Sequence, residues 1–304
     1  MAFVALGQGS GGKTSQPSKA SNVAFILLAP GMIYLGLFFL TPLVSLIITS
    51  LKTASISGDI GMYDYAFQIG NYGYAIEQYL PQIIRSFGYA LTATLLALII
   101  SYPLAYFIGV TTRNRPILKA LLLTLVIAPF FISFLLRTFA WRQIFSNESP
   151  AVQFIQNIGL LQADQYIIGT DLAVIMGLTY NFIPFMTLPI YTSLERLDVR
   201  LVEAGADLYA SPAKTFWQVT FPLSMPGVIS GTLLTFIPIS GDYVSASREF
   251  LGSSSTAMIG NVVEANFFRI QDFPTASALS VMLMAVIVIL VAFYVRRSGT
   301  EDLL

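Results

Sequence analysis

The sequence predicts an all-α polytopic membrane protein with six transmembrane helices, on three observations. Of its 304 residues 55% are hydrophobic and only 11% charged, whereas a soluble domain carries about 25% charged residues. The mean hydropathy of +0.72 is too high for a surface that meets water on every side. The charged residues are also spaced so that six long stretches contain none.

These stretches set the elements in order. Lys19 to Lys52 encloses 32 uncharged residues, Arg85 to Arg113 encloses 27 and Lys119 to Arg137 encloses 17. Asp171 to Glu195 encloses 23, Lys214 to Asp242 encloses 27 and Asp272 to Arg296 encloses 23. About 20 apolar residues cross the hydrocarbon core as a helix. Only the third stretch is short, and it is completed through Arg137 to Trp141 if that arginine faces protein or water. The expected spans are about 24–51, 86–110, 118–141, 172–194, 223–244 and 274–296, within a membrane domain of residues 23–297.

The flanks follow from composition and charge. Residues 1–22, rich in Gly, Ser and Lys, read as a disordered cytosolic tail, and residues 298–304 as a short C-terminal one. With both termini cytoplasmic, ten basic residues lie inside and six outside, while six acidic residues lie inside and ten outside. The positive-inside rule favours that orientation. Outside, residues 53–84 read as a long aromatic-rich loop. In the second external connection, Ser149 and Pro150 read as the cap and first position of a short interfacial helix.

Composition narrows function. Sixteen basic residues balance sixteen acidic ones, so charge does not favour a nucleic-acid partner. The absence of Cys and His removes thiol nucleophiles, the usual general base and most transition-metal chemistry. Residues 7–13, GQGSGGK, resemble a phosphate-binding loop only superficially, with no strand before them.

The most informative stretch is the predicted cytosolic loop, residues 195–222. Leu197, Leu201, Ala204 and Leu208 can share one helical face, with Arg200, Glu203 and Asp207 on a neighbouring one. Ser211 and Pro212 have the chemistry of a second helix start, and Pro222 closes the element before the next span. The loop reads as a helix–turn–helix that presents a knob to a partner protein.

Residues 203–211 (EAGADLYAS) and 219–222 (VTFP) resemble the EAA loop of ABC importer permeases, a family that uses it to dock on a cytosolic ATPase. The resemblance implies ATPase-coupling roles for Glu203, Ala204, Gly205, Asp207, Leu208, Ala210 and Ser211. Gly205 stands where the family pattern has alanine, and Tyr209 where it has glycine. A glycine there permits a positive-φ turn that tyrosine adopts only at a cost.

Residues 129–141 (PFFISFLLRTFAW) and 236–244 (FIPISGDYV) are similar to segments of the spermidine/putrescine permeases within that family. The resemblance implies a multi-pass permease of the plasma (inner) membrane that is not itself an enzyme. Its implied partners are an ABC ATPase dimer, a second homologous permease, an extracytoplasmic substrate-binding protein and a polyamine. This chain would bind no cofactor, with ATP and Mg used by the ATPase.

For substrate, the residues allow two readings. A carboxylate within a span costs roughly 2.5–3.5 kcal/mol on insertion scales, so Asp242 should face a cavity or a partner charge. A linear polycation needs carboxylates and aromatic faces, which Asp242 and Tyr243, with Trp141 and Tyr180, can supply. Alternatively Asp242 pairs with Arg137 or Arg248 or sits in outer water, and the aromatics merely mark the interface. Arg137 would repel a polycation and is expected to lock helix geometry. Two rival functions stay open: the same machine for an inorganic anion, iron complex or other cationic metabolite, and an ion-coupled secondary transporter.

Overall fold

The structure, a computed structural model, describes residues 20–55, 60–162 and 164–298. The 7–13 stretch and nearly all of both predicted tails lie outside the described residues. The chain divides into two units, residues 1–48 and 49–304.

In the first unit, helix α1 (Ala20–Leu35) passes through a π-helical turn, Gly36–Leu40, into α2 (Thr41–Ser50). Residues Phe25–Ser50 make a continuous apolar helix of 26 residues. At 1.5 Å per residue, that length exceeds a hydrocarbon core of about 30 Å.

The second unit opens with two short antiparallel strands, β1 (Thr53–Ala54) and β2 (Tyr63–Asp64). Helix α3 (Gly70–Tyr106) follows and continues as a π-helical turn to Thr111. It begins well inside the stretch read from sequence as the loop 53–84, which is a correction. Tyr79, at φ −121° and ψ 15°, kinks it, two residues before Pro81, whose ring nitrogen cannot donate to the helix. The added turns are helical because they pack: Tyr72, Ala75 and Tyr79 lie against Ile259, Val262 and Leu279.

The third span is not one helix. α4 (Pro116–Ile127) runs into a 3₁₀ turn, Ala128–Phe131, and α5 (Phe134–Phe145) leaves at 96°. Pro129 removes a backbone donor, and Ile132 and Ser133 are extended, so the hydrogen-bond ladder breaks there. Among the described residues five helices are long and apolar enough to cross a membrane, or six if this bent pair counts as one. The span expected over 118–141 is thus a bent pair of helices, broken at Pro129.

The remaining elements are α6 (Pro150–Asn157), α7 (Asp171–Glu195), α8 (Val199–Asp207), α9 (Pro212–Thr215), α10 (Phe221–Ser240), α11 (Ile259–Glu264) and α12 (Phe273–Ser298). Their starts follow capping chemistry. Ser149 Oγ accepts from Val152 N at 3.1 Å, Thr170 Oγ1 from Ala173 N at 3.3 Å and Asp272 Oδ1 from Thr275 N at 3.2 Å. Each satisfies a donor the helix itself cannot use.

α3, α7 and α10 pack against one another at the centre. In lipid, close packing and interhelical hydrogen bonds, rather than water exclusion, hold helices together. Gly227 and Gly231 supply the close approach. A Cβ on Gly227 would sit 2.5 Å from the Pro189 carbonyl oxygen, and one on Gly231 would sit 3.0 Å from that of Met186. Tyr102 and Ser224 hydroxyls add a buried α3–α10 hydrogen bond at 2.8 Å. One apolar cluster, around Ile108, Met186, Ile190 and Leu194, fills the end near α8. Another, around Tyr89, Val174, Leu178 and Leu251, fills the opposite, distal end.

Candidate functional site: the coupling loop and the distal cavities

The loop between α7 and α10 is built as the sequence expects a knob to be built. Asp198 Oδ1 accepts from Arg200 N at 3.0 Å and opens α8. α8 closes at Tyr209, whose φ is +56°, with Ala210 N donating to the Gly205 carbonyl at 3.0 Å. That six-to-one bond around a left-handed residue is a Schellman-type end. Tyrosine therefore adopts the conformation glycine would take freely, and its side chain is 98% exposed. Ser211 Oγ then caps α9 through Lys214 N at 3.3 Å.

Gly205 has its own reason. A Cβ there would lie 2.9 Å from Thr215 Oγ1 and 3.1 Å from its Cγ2. Thr215 is buried, so the alanine of the family pattern would require the Thr215 side chain or one of the two helices to shift. Thr215 is a residue that sequence reasoning missed, since only the folded turn brings it against residue 205.

Three anchors tie the loop to the bundle. Lys119 of α4 forms an ion pair with Glu195 at the end of α7. Arg113 donates to the Leu197 carbonyl at 3.0 Å. Phe216 stacks edge-on against Tyr102 at 5.7 Å and Tyr106 at 6.1 Å, on α3. A push on the loop thus reaches α3, α4 and α7 together. The signal for the first two anchors was in the sequence, as charges bordering adjacent spans on one side. Glu203, Ala204, Asp207 and Leu208 are exposed on the knob, whereas Leu197 is buried. The shared apolar face read from spacing is therefore divided: Leu197 roots the loop and Ala204 and Leu208 are presented outward.

Replacing Tyr209 by Gly should keep the turn and remove a left-handed cost of about 1–2 kcal/mol. Partner binding should be retained and loop proteolysis slowed. Faster cleavage in the Gly variant would contradict this reading of the turn.

At the distal end the structure places each predicted path residue. α10 stops at Ser240, so Asp242 lies beyond the helix rather than within the span 223–244. It is 8% exposed. Its Oδ1 accepts from Ser245 N at 2.7 Å, and its Oδ2 accepts from the Ser245 hydroxyl at 3.4 Å. Among the described residues neither Arg137 nor Arg248 lies within ion-pair distance of it. The carboxylate is the cap of the turn that starts the 241–258 loop. That loop is packed tightly: Leu251 is fully buried against Gly177, and a Cβ on Gly260 would meet the Asp242 carbonyl oxygen at 2.6 Å.

Asp242→Asn should preserve the turn, because an amide oxygen still accepts from Ser245 N. Asp242→Ala should cost about 1–2 kcal/mol, as at a helix cap. Thermal unfolding in detergent checks this, and equal loss in both variants would contradict the capping role.

Trp141 and Tyr180 meet edge-on with ring centroids 5.1 Å apart. Arg137 is 8% exposed, lies over the Phe134 ring at 5.7 Å and donates to the Asn181 carbonyl at 3.4 Å. It faces protein and ties α5 to α7. Tyr243 is exposed and borders an apolar groove of about 550 Å³ along α10, α11 and α12. A polar cavity of about 430 Å³ opens beside it, with Arg248, Glu249, Glu264 and Arg269 on its walls. Of the four path residues, Trp141 and Tyr180 are thus in direct ring contact, and Asp242 and Tyr243 follow one another just past the end of α10.

Residues 101–298, which carry the α7–α10 loop and the apolar groove, match the family described as binding-protein-dependent transport system inner membrane component. The chain belongs to that family. It is a multi-pass inner-membrane permease of the ABC importer type, and permeases of this type work with an ATPase and a substrate-binding protein. Among its relatives, the spermidine/putrescine transport system permease protein PotB of Salmonella typhimurium (strain SL1344) is 34% identical over 283 residues. That alignment covers 92% of this chain and 94% of the relative. PotB of Escherichia coli (strain K12) is 34% identical over 267 residues, covering 87% and 94%. A chain of a bacterial alginate ABC transporter, solved with an alginate pentasaccharide-bound periplasmic protein, superposes at a TM-score of 0.69. It is 15% identical over 93% of this permease and 96% of that chain, a likeness of fold alone.

Proposed function

We propose that this permease forms, with a second homologous permease, the membrane path through which polyamines of the spermidine/putrescine class are imported. The observation that carries the substrate class is the 34% identity to PotB along 92% of the chain. In this reading both termini are cytoplasmic, in line with ten basic residues inside against six outside. The α8 knob then faces the cytosol. Ala204 and Leu208, exposed beside Glu203 and Asp207, are the surface that seats in a groove of the ATPase. The ATPase dimer, using ATP and Mg, pushes the loop, and the three anchors pass that motion to α3, α4 and α7. Rocking of the helices alternates access between the two sides. The extracytoplasmic binding protein delivers the substrate at the distal end.

Uptake of labelled spermidine and putrescine in a strain deleted for this gene, with and without the gene restored, tests the proposal. ATP-dependent uptake that returns with the gene supports it. In a strain with no other polyamine importer, uptake that persists without the gene would remove the polyamine assignment and leave the permease role standing. Uptake that survives ATP depletion but collapses with an uncoupler would favour ion coupling instead.

A further inference from the structure

Glu264 borders both distal cavities, the polar one and the apolar groove. The groove wall beyond it is almost wholly apolar and aromatic, with Tyr243, Phe267, Phe268 and Leu283. On the polar side Arg269 reaches between two carboxylates. Its Nη2 lies 3.7 Å from Glu249 Oε1, and its Nε lies 3.9 Å from Glu264 Oε1. Both distances exceed the 2.7–2.9 Å of a well-made charge-assisted bond, and the pair with Glu249 is solvent-exposed on both sides. Such pairs hold weakly. Arg269 also sits on a π-helical turn, Ala265–Ile270, that ends on Gln271 at φ +62°, a conformation uncommon outside glycine. Ser247 Oγ, on the wall of the polar cavity, is shielded and has no hydrogen-bond partner among the described residues. The neighbouring cation, Arg248, is turned to the Ser254 hydroxyl.

A loosely held guanidinium between two carboxylates occupies the place an alkylammonium would take. A linear polyammonium chain alternates charged nitrogens with methylene segments, so it needs a carboxylate next to an aromatic-walled groove. We infer that Glu264 receives an ammonium group of the polyamine at the junction of the two cavities. Arg269 is the tethered cation it displaces, and the methylene chain lies along the groove at Tyr243 and Phe267. The inference rests on the polyamine reading above and adds to it a residue that sets specificity for polycations.

The test is spermidine uptake by the complete transporter carrying Glu264→Gln, Arg269→Gln or both. Glu264→Gln should raise KM about ten- to hundredfold with the maximal rate kept, since a charged partner is lost. Arg269→Gln should lower KM about two- to fivefold, the weight of an exposed ion pair. The double variant should behave like Glu264→Gln. An unchanged KM in Glu264→Gln, or an unchanged or raised KM in Arg269→Gln, overturns the inference while wild-type uptake upholds the polyamine reading. Absent wild-type uptake overturns the polyamine reading itself. If Glu264→Gln fails to assemble with the ATPase, the exposed Arg269→Gln variant decides alone.

Discussion

Ala204→Glu is expected to detach the ATPase from the permease and abolish uptake, with the membrane fold unharmed. Ala204 is exposed on α8 beside exposed Glu203, so the larger side chain can point to solvent without entering the core. Its effect arises only where the knob meets a partner. A carboxylate pressed into an apolar contact without a counter-charge costs several kcal/mol. At about 3 kcal/mol the complex weakens more than a hundredfold. Glu203→Arg should act the same way through reversed charge. The measurement is how much ATPase stays with affinity-purified permease in detergent, alongside uptake. Normal ATPase retention and normal transport in both variants would end the docking role of α8.

Gly227→Leu should have the largest effect on stability. The atoms it would meet include the Pro189 carbonyl oxygen at 2.5 Å and Ile190 Cα at 2.9 Å, which are backbone and cannot rotate away. Overpacking a core costs about 1–3 kcal/mol when side chains can adjust, and here α7 and α10 must separate. Tyr102, bonded to Ser224 across α3 and α10, would be pulled with them. A loss of about 3 kcal/mol or more, seen as low folded yield and early thermal unfolding in detergent, is expected. Gly231→Ala should be milder, because its nearest atom, the Met186 sulfur at 2.9 Å, belongs to a flexible side chain, and the nearest backbone atom, the Met186 carbonyl oxygen, lies at 3.0 Å rather than 2.5 Å. Equal stability of Gly227→Leu and wild type would show that α7 and α10 are not closely packed in the membrane.

Much of the fold was legible because a bilayer imposes a one-dimensional constraint. Charge-free stretches mark spans whatever their neighbours are, and caps such as Ser149 and Ser211 act within three residues. The coupling loop was legible for the same reason, since α8, its end and the start of α9 are all local. Pro129 marks a kink in the third span, but not that it reaches 96°, because a proline in a span can bend a helix slightly or end it. Asp242 was misplaced because a charge-free stretch does not say where a helix stops, and the carboxylate serves a turn three residues on. The helical start of α3 was hidden because contacts with α11 and α12, far away in sequence, hold it.

By itself, then, the sequence determined the membrane class, the order of spans, the charge bias between the two sides and the place of the knob. Each rests on composition or on neighbours within a few residues. Only the tertiary structure decided that Gly205 must yield to Thr215 and that Arg137 lies against α7. It also placed Glu264 between a polar cavity and an apolar groove, within reach of Arg269. The Gly205 contact needs the loop to fold back on itself; the others depend on which helix faces meet, and in lipid that is settled by close packing and hydrogen bonds between helices.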